Sequence, residues 1–161
     1  MAVDMFIKIG DIKGEAQDHK HKGEIDILSW SWGMSNSGTT HMGSGGGSGK
    51  VSVQDLSFTK FVDSASNALI THCCSGKHID KAQLIVRKAG GDKPVEYIKV
   101  DLEDIVISAV STGGSGGEDR LTENISLNFA RFKYAYSPQK TDGSPDAEKI
   151  ASWDIAKNVK V

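Results

Sequence analysis

Glu123-Asn-Ile-Ser-Leu-Asn-Phe-Ala-Arg-Phe-Lys-Tyr-Ala-Tyr136 is the stretch on which the fold turns. Ile125, Leu127 and Phe129 alternate with Asn124, Ser126 and Asn128, the period of a strand buried on one face. After Ala130 the bulk moves to even numbers, at Phe132, Tyr134 and Tyr136. A period-2 register changes face only through an extra residue or a sharp twist, so the pattern predicts a β-bulge near Ala130–Arg131. Such a strand serves one core with its first half and another surface with its second, as does a barrel wall or a subunit that packs inward and also against a neighbour.

The same alternation recurs on both sides. Val3–Ile9 reads as a strand with Val3, Met5, Ile7 and Ile9 on one face, followed by a solvated loop at Asp18–Lys22. A second strand over Glu24–Met34 also changes phase, from Ile25 and Ile27 to Leu28, Trp30, Trp32 and Met34. Ser35–Gly49 has no period and reads as a long loop. Val51–Phe58 alternates again, with a flip between Val53 and Leu56. Further strands are predicted at Ala82–Lys88, Val95–Leu102, Asp104–Ser111 and around Trp153 and Ile155. Turns at 89–94 and Gly113–Gly117 and a polar loop from Pro138 to Glu148 separate them. One helix interrupts the series. Asp63 or Ser64 can cap it, Ala65, Leu69, Ile70, His72 and Cys73 share a broad face, and Gly76 with Lys77 ends it. The expected fold is mainly β, a barrel or sandwich of many short strands with one helix, in a single domain over 1–161.

Composition narrows the function classes. The chain has 161 residues and a formal net charge of −2, which supplies no electrostatic argument for nucleic acid or an anionic membrane. It has no apolar run long enough to span a bilayer, and its N-terminus alternates as a strand does, unlike a signal peptide. Cys73 and Cys74 are vicinal and cannot staple distant segments, which fits synthesis in a reducing compartment.

Candidate chemistry is sparse. Ser44–Lys50 imitates a phosphate loop, but Ser44 and Val51 stand where that motif needs Gly and Ser or Thr, and no helix follows. His72, Cys73, Cys74 and His78, or His19 and His21, lack the ligand spacing of a structural metal site. No base is placed beside either cysteine, and the carboxylates Asp101, Glu103, Asp104, Glu118, Asp119 and Glu123 sit at turns and strand ends. The expectation is a protein that is not an enzyme and holds no metal or cofactor.

Asp4–Gly10, Trp30-Ser-Trp-Gly-Met34, Val53–Lys60, Gly76-Lys-His78, Ser111–Asn124 and Leu127-Asn-Phe-Ala130 together resemble the Hcp (haemolysin-coregulated protein) family of bacterial type VI secretion, in order along nearly the whole chain. The resemblance implies a small antiparallel β-barrel of two curved sheets with one flanking α-helix, assembled into hexameric rings that stack into an inner tube. Its implied partners are the chain itself, a spike protein at the tip, a contractile sheath outside and effector proteins in the lumen. It also implies export from the cytoplasm without a cleaved signal peptide. The last strand lies close to the end of the chain, leaving no expected room for a fused effector domain. The competing expectation is a monomeric β-barrel that binds a small ligand or carbohydrate.

Three sets of residues are marked as sites. Alternation in the second strand turns Ser29 and Ser31 away from the tryptophans, and the resemblance places that strand in the wall of the pore, as lumen and effector contacts. The loop holding Thr39, Thr40, His41, Met42 and Lys50 is expected to touch a neighbouring ring or subunit. Its glycine-rich tip is costly to order, so stacking in free solution is expected to be weak. Glu118, Asp119 and Arg120 are marked for a local ion-pair network or a subunit contact.

Overall fold

Alternating residues become ten strands and one helix in the computed structural model, which describes residues 3–38, 41, 48–88 and 94–161. The strands are β1 (Val3–Ile9), β2 (Ile25–Asp26), β3 (Ser29–Ser31), β4 (Met34–Gly38), β5 (Ser48–Val53) and β6 (Leu56–Phe61), then β7 (Ile79–Lys88), β8 (Glu96–Thr112), β9 (Thr122–Tyr136) and β10 (Lys149–Asp154). Helix α1 spans Ser66–Ser75, between β6 and β7.

An eight-stranded antiparallel sheet runs in the order β2-β1-β7-β8-β9-β6-β3, with β10 added beside β9. Its two ends, β2 and β3, are separated by two residues of one chain segment, so the sheet closes on itself. Backbone bonds across that segment complete the closure, from Ile27 N–H to Met5 (3.1 Å) and from Leu28 N–H to Thr59 (2.8 Å). The second sheet is the two-stranded β4–β5 hairpin. The mainly β, one-helix architecture expected from the sequence is therefore present, with two sheets of very unequal size.

Inside the barrel Ile7, Ile25, Leu56, Leu84, Val100, Leu102, Ile125 and Leu127 form one apolar cluster. Leu69 of α1 joins it and is fully buried. The helix ends as expected at Gly76, whose φ of 65° is left-handed and whose N–H reaches His72. Its start differs. Ala65 is the N-cap without a side-chain capping bond, although the Asp63 carboxylate accepts from Ala65 N–H at 2.9 Å. The buried face is also narrower than the spacing implied: Ile70 is exposed, and His72 and Cys73 are half-buried.

Several strand boundaries move. Glu24–Met34 is divided among β2, β3 and β4, because the chain leaves β1 for β6 and then leaves the barrel for the hairpin. Val95–Leu102 and Asp104–Ser111 merge into β8. The predicted bulge near Ala130–Arg131 is absent, since β9 pairs Phe129 with Ile105 and Arg131 with Glu103 in continuous register. The register shift lies instead in β8 between Ile107 and Ala109. The change of face in β9 coincides with Asp104, opposite Ala130, whose φ of 54° breaks the pleat of the partner strand.

The loop after β1 also departs from expectation. Asp18–Lys22 is not wholly solvated: His21 is 5% exposed and stacks on Phe6 at 4.7 Å. The second face of β1 is thus covered at Phe6, which is as buried as Ile7 and Ile9, while Lys8 on that face stays exposed. Gly14 permits this, because a Cβ there would meet the Glu24 carbonyl oxygen at 2.4 Å. Thr39, Thr40, Met42, the loop tip 43–47 and most of the turn at 89–94 lie outside the described residues.

Candidate functional site

Antiparallel pairing joins the marked serines to two neighbouring strands. Ser29 pairs with Thr59 and Ser31 with Ser57 across β3–β6. Thr59 then pairs with Asn124 and Ser57 with Ser126 across β6–β9. Side chains two residues apart on a strand share a face, so these pairs form two parallel rows on one side of the sheet. In β8 the rows continue to Ser111 and Ala109. Cross-strand bonds run along them, from Thr59 Oγ1 to Asn124 Oδ1 at 2.6 Å and between the Ser57 and Ser126 hydroxyls at 2.8 Å. Ser29 and Ser31 are exposed, as alternation required.

A third row adds the charge. Asp55, in the turn between β5 and β6, stands beside Asn128, whose Nδ2 donates to it at 2.9 Å. Ser108 of β8 donates to the other carboxylate oxygen at 2.6 Å. The face built by these rows is small, hydroxyl- and amide-rich, and carries one ionisable group.

Beneath it the arrangement inverts. Lys60 and Glu123, inward on β6 and β9, are 0% and 1% exposed. Lys60 Nζ lies 3.3 Å from Glu123 and 2.8 Å from Asp63, and also reaches the Ser66 hydroxyl and the Phe61 carbonyl. The sequence reading placed Glu123 among solvated carboxylates; in the structure it is paired inside the barrel.

The second half of β9 carries a different face. Lys81, Glu103, Arg131 and Asp154 follow one another across β7, β8, β9 and β10, with charges of alternating sign. Arg131 donates to Glu103 at 2.8 Å and to Asp104, and these carboxylates raise the pKa of its guanidinium. The next row runs Lys8, Gln83, Asp101, Lys133, and Gln83 Nε2 donates to Asp101 at 2.7 Å. A groove of about 870 Å³ crosses this half. Farther along the same side, Arg87 binds both oxygens of Asp18 at 2.6 and 3.0 Å and Asp4 at 3.1 Å. Its hydrogen bonds hold the Asp18 carboxyl well below the usual carboxylate range, against the opposing effect of burial.

Other marked residues are scattered. Lys50 is exposed on β5 and His41 is an exposed turn residue. Arg120 does not pair with Glu118 or Asp119; it lies 3.9 Å from the Phe61 ring, while Glu118 accepts from Ser115. His21 uses both ring nitrogens within the fold, at 2.8 Å from Glu24 and 2.7 Å from Glu96. His72 bonds the Ala68 carbonyl one turn back. Cys73 is half-buried, Cys74 exposed, and both are free thiols. Among the described residues no three His, Cys, Asp or Glu side chains gather as metal ligands.

Sequence reasoning marked Ser29 and Ser31 on this face but not Asp55, Ser57, Thr59, Ser108 and Asn128 beside them. The alternation of Asp55, Ser57 and Thr59 with Leu56 and Phe58 was the available signal; the strand order that joins them was not.

Comparison with known proteins places the whole chain. The family model described as type VI secretion system effector, Hcp, matches residues 6–136. The chain is 58% identical over 161 residues to protein hcp1 of Pseudomonas aeruginosa, covering 99% of each. Among solved structures it is similar to Hcp1 from Salmonella typhimurium, at 40% identity and a TM-score of 0.82 over 100% of both chains. It is also similar to a type VI secretion system effector from Yersinia pestis, at 35% identity and a TM-score of 0.78, covering 94% of this chain and 100% of that one.

Proposed function

The chain belongs to the Hcp family of type VI secretion proteins, and from that premise we propose that it is a structural subunit of the secretion tube, forming hexameric rings whose lumen carries effector proteins. The observation that carries this reading is the continuous polar face on β3, β6, β9 and β8. Most solvent-facing strands carry Lys or Glu; this face presents short hydroxyls and amides, two pairs of which bond each other across the strands. Such a surface stays wet, leaves space for cargo and makes hydrogen bonds without dictating one shape.

Ring closure follows from head-to-tail contact between identical surfaces. The outer edge of β10 before Asp154 and the edge of β8 beyond Ile105 supply strands with open backbone groups. The β4–β5 hairpin, with His41 and Lys50, stands outside the barrel where it meets a neighbouring ring or subunit, and Glu118, Asp119 and Arg120 lie on a second candidate contact. The spike and sheath are the further partners at the tip and outer wall. No residue acts as a catalyst in this reading, and the chain leaves the cell as part of the tube it builds.

Native mass measurement tests assembly: a ring of six subunits is expected, and a stable 17.2 kDa monomer in dilute buffer overturns the reading. Ser31→Gln tests the lumen. The amide extends from the polar face without charge, so rings should form normally while a cognate effector is lost on co-purification. Normal rings that keep the effector as well as the parent does remove Ser31 from the cargo surface.

A further inference from the structure

Asp55 is the one ionisable side chain across the three rows of the polar face, and its surroundings are built from three separate segments. It sits in the β5–β6 turn, Asn128 reaches it from β9 and Ser108 from β8. Ser108 is there because of the register shift between Ile107 and Ala109. The extra residue leaves Ser108 and Ala109 both exposed, where strict alternation would bury one of them. The bulge thereby aims a hydroxyl at the carboxylate. Each oxygen of Asp55 receives one donor, 2.6 Å from Ser108 and 2.9 Å from Asn128, which fixes its direction and leaves a second lone pair on each oxygen. The other polar side chains of these rows differ: Ser57 bonds Ser126 and Thr59 bonds Asn124.

Resting on the reading of this face as a cargo surface, we propose that Asp55 is its specificity-determining residue, a pre-oriented carboxylate that engages an arginine or lysine side chain of the carried protein. Two parallel acceptor positions on a planar carboxylate match the guanidinium fork, and a charge already held in place loses little freedom on binding. No cation of these rows competes for it. On the opposite half of β9 the carboxylates are already matched, Glu103 by Arg131 and Asp101 by Gln83 and the neighbouring Lys133, so they offer a visiting cation much less. The polar rows set the shape of the contact, and Asp55 sets its sign. Cargo with a basic patch is retained, and cargo that presents only acidic groups is turned away.

The test uses the full chain and three fluorescent peptides of equal length, one arginine-rich, one glutamate-rich and one uncharged, read by anisotropy at low and physiological salt. The parent protein should prefer the arginine-rich peptide, and Asp55→Asn should lose roughly tenfold of that preference, the scale of one charge-assisted hydrogen bond. Asp101→Asn removes the same charge from the other face and should leave the preference intact. Retention of the preference in Asp55→Asn, an equal loss in Asp101→Asn, or no preference in the parent each overturns the proposal. If Asp55→Asn does not fold, Ser57→Lys places a cation about 7 Å along the same face and should abolish the preference; preserved binding there overturns the proposal as well. The peptide assay and the mass of the assembly fail independently. A monomer that still selects the arginine-rich peptide sinks the tube reading alone, whereas normal rings without selectivity sink only the role of Asp55.

Discussion

The two halves of β9 place charge in opposite ways. The first half turns Asn124, Ser126 and Asn128 outward and hides Glu123 against Lys60 inside the barrel. The second half turns Arg131 and Lys133 outward, within rows of alternating charge, and buries Phe132. A solvated charge costs the fold little, and neutral faces ordinarily cover apolar cores. An ion pair below a neutral face is therefore a costly arrangement, held by excellent geometry: Lys60 has Asp63, Glu123, Ser66 and a carbonyl around it. The contrast teaches that the scarcity of charge on the first face is a property of that surface and not of the strands' composition.

Breaking the buried pair should have the largest effect. Lys60→Met strands Glu123 without a counter-charge and should cost about 3–5 kcal/mol in urea unfolding. The double variant Lys60→Met/Glu123→Leu should recover much of that loss, because apolar residues of similar volume often replace a buried pair at little cost. A single variant as stable as the parent would mean that the two halves do not differ in this way.

Leu69→Ala asks how much of the same end is held by apolar packing. Leu69 is fully buried on α1, and its truncation should cost about 2–5 kcal/mol through lost transfer energy and a cavity. Unchanged thermal stability would contradict its placement in the core.

On the charged side the response to pH should come from Asp18. The carboxyl of Asp18 is depressed by Arg87, so its stabilising effect is complete above its unfolded pKa of about 3.9 and is lost as the pH falls through the lower folded value. Unfolding midpoints should therefore drop as the pH falls below about 4, and Arg87→Met should flatten that decline. An unaltered acid limb in the variant would rule out this pair as its source.

The smallest effect is expected on the outward rows. Asp101→Asn should shift stability by about 0.5 kcal/mol or less. A larger loss, or one that resists high salt, would show that the charged rows carry the fold as the buried pair does.

Much of this was legible in local pattern. Alternation in 123–136 marked the central strand and its change of face, the flip between Val53 and Leu56 marked the passage from hairpin to barrel, and Gly76 marked the helix end. The polar side of Ser29 and Ser31 was likewise readable, because a pleated strand sends successive side chains to opposite faces. The order of motifs along the chain was enough to point to the family.

Tertiary structure decided what stands on the other side of each residue. Lys60, Glu123 and His21 look solvated in sequence, and besides the local partners Asp63 and Glu24 they have partners far along the chain, Lys60 with Glu123 and His21 with Glu96. The bulge moved from Ala130 to Ser108 for the same reason, since alternation records that a face changes but not which of two paired strands takes up the change. Asp55, Ser108 and Asn128 meet only once the β5–β6 turn, β8 and β9 are side by side. Periodicity is a local consequence of backbone geometry and can be read one strand at a time. The burial of a charge depends on desolvation offset by a partner, and that partner arrives only when the sheet closes.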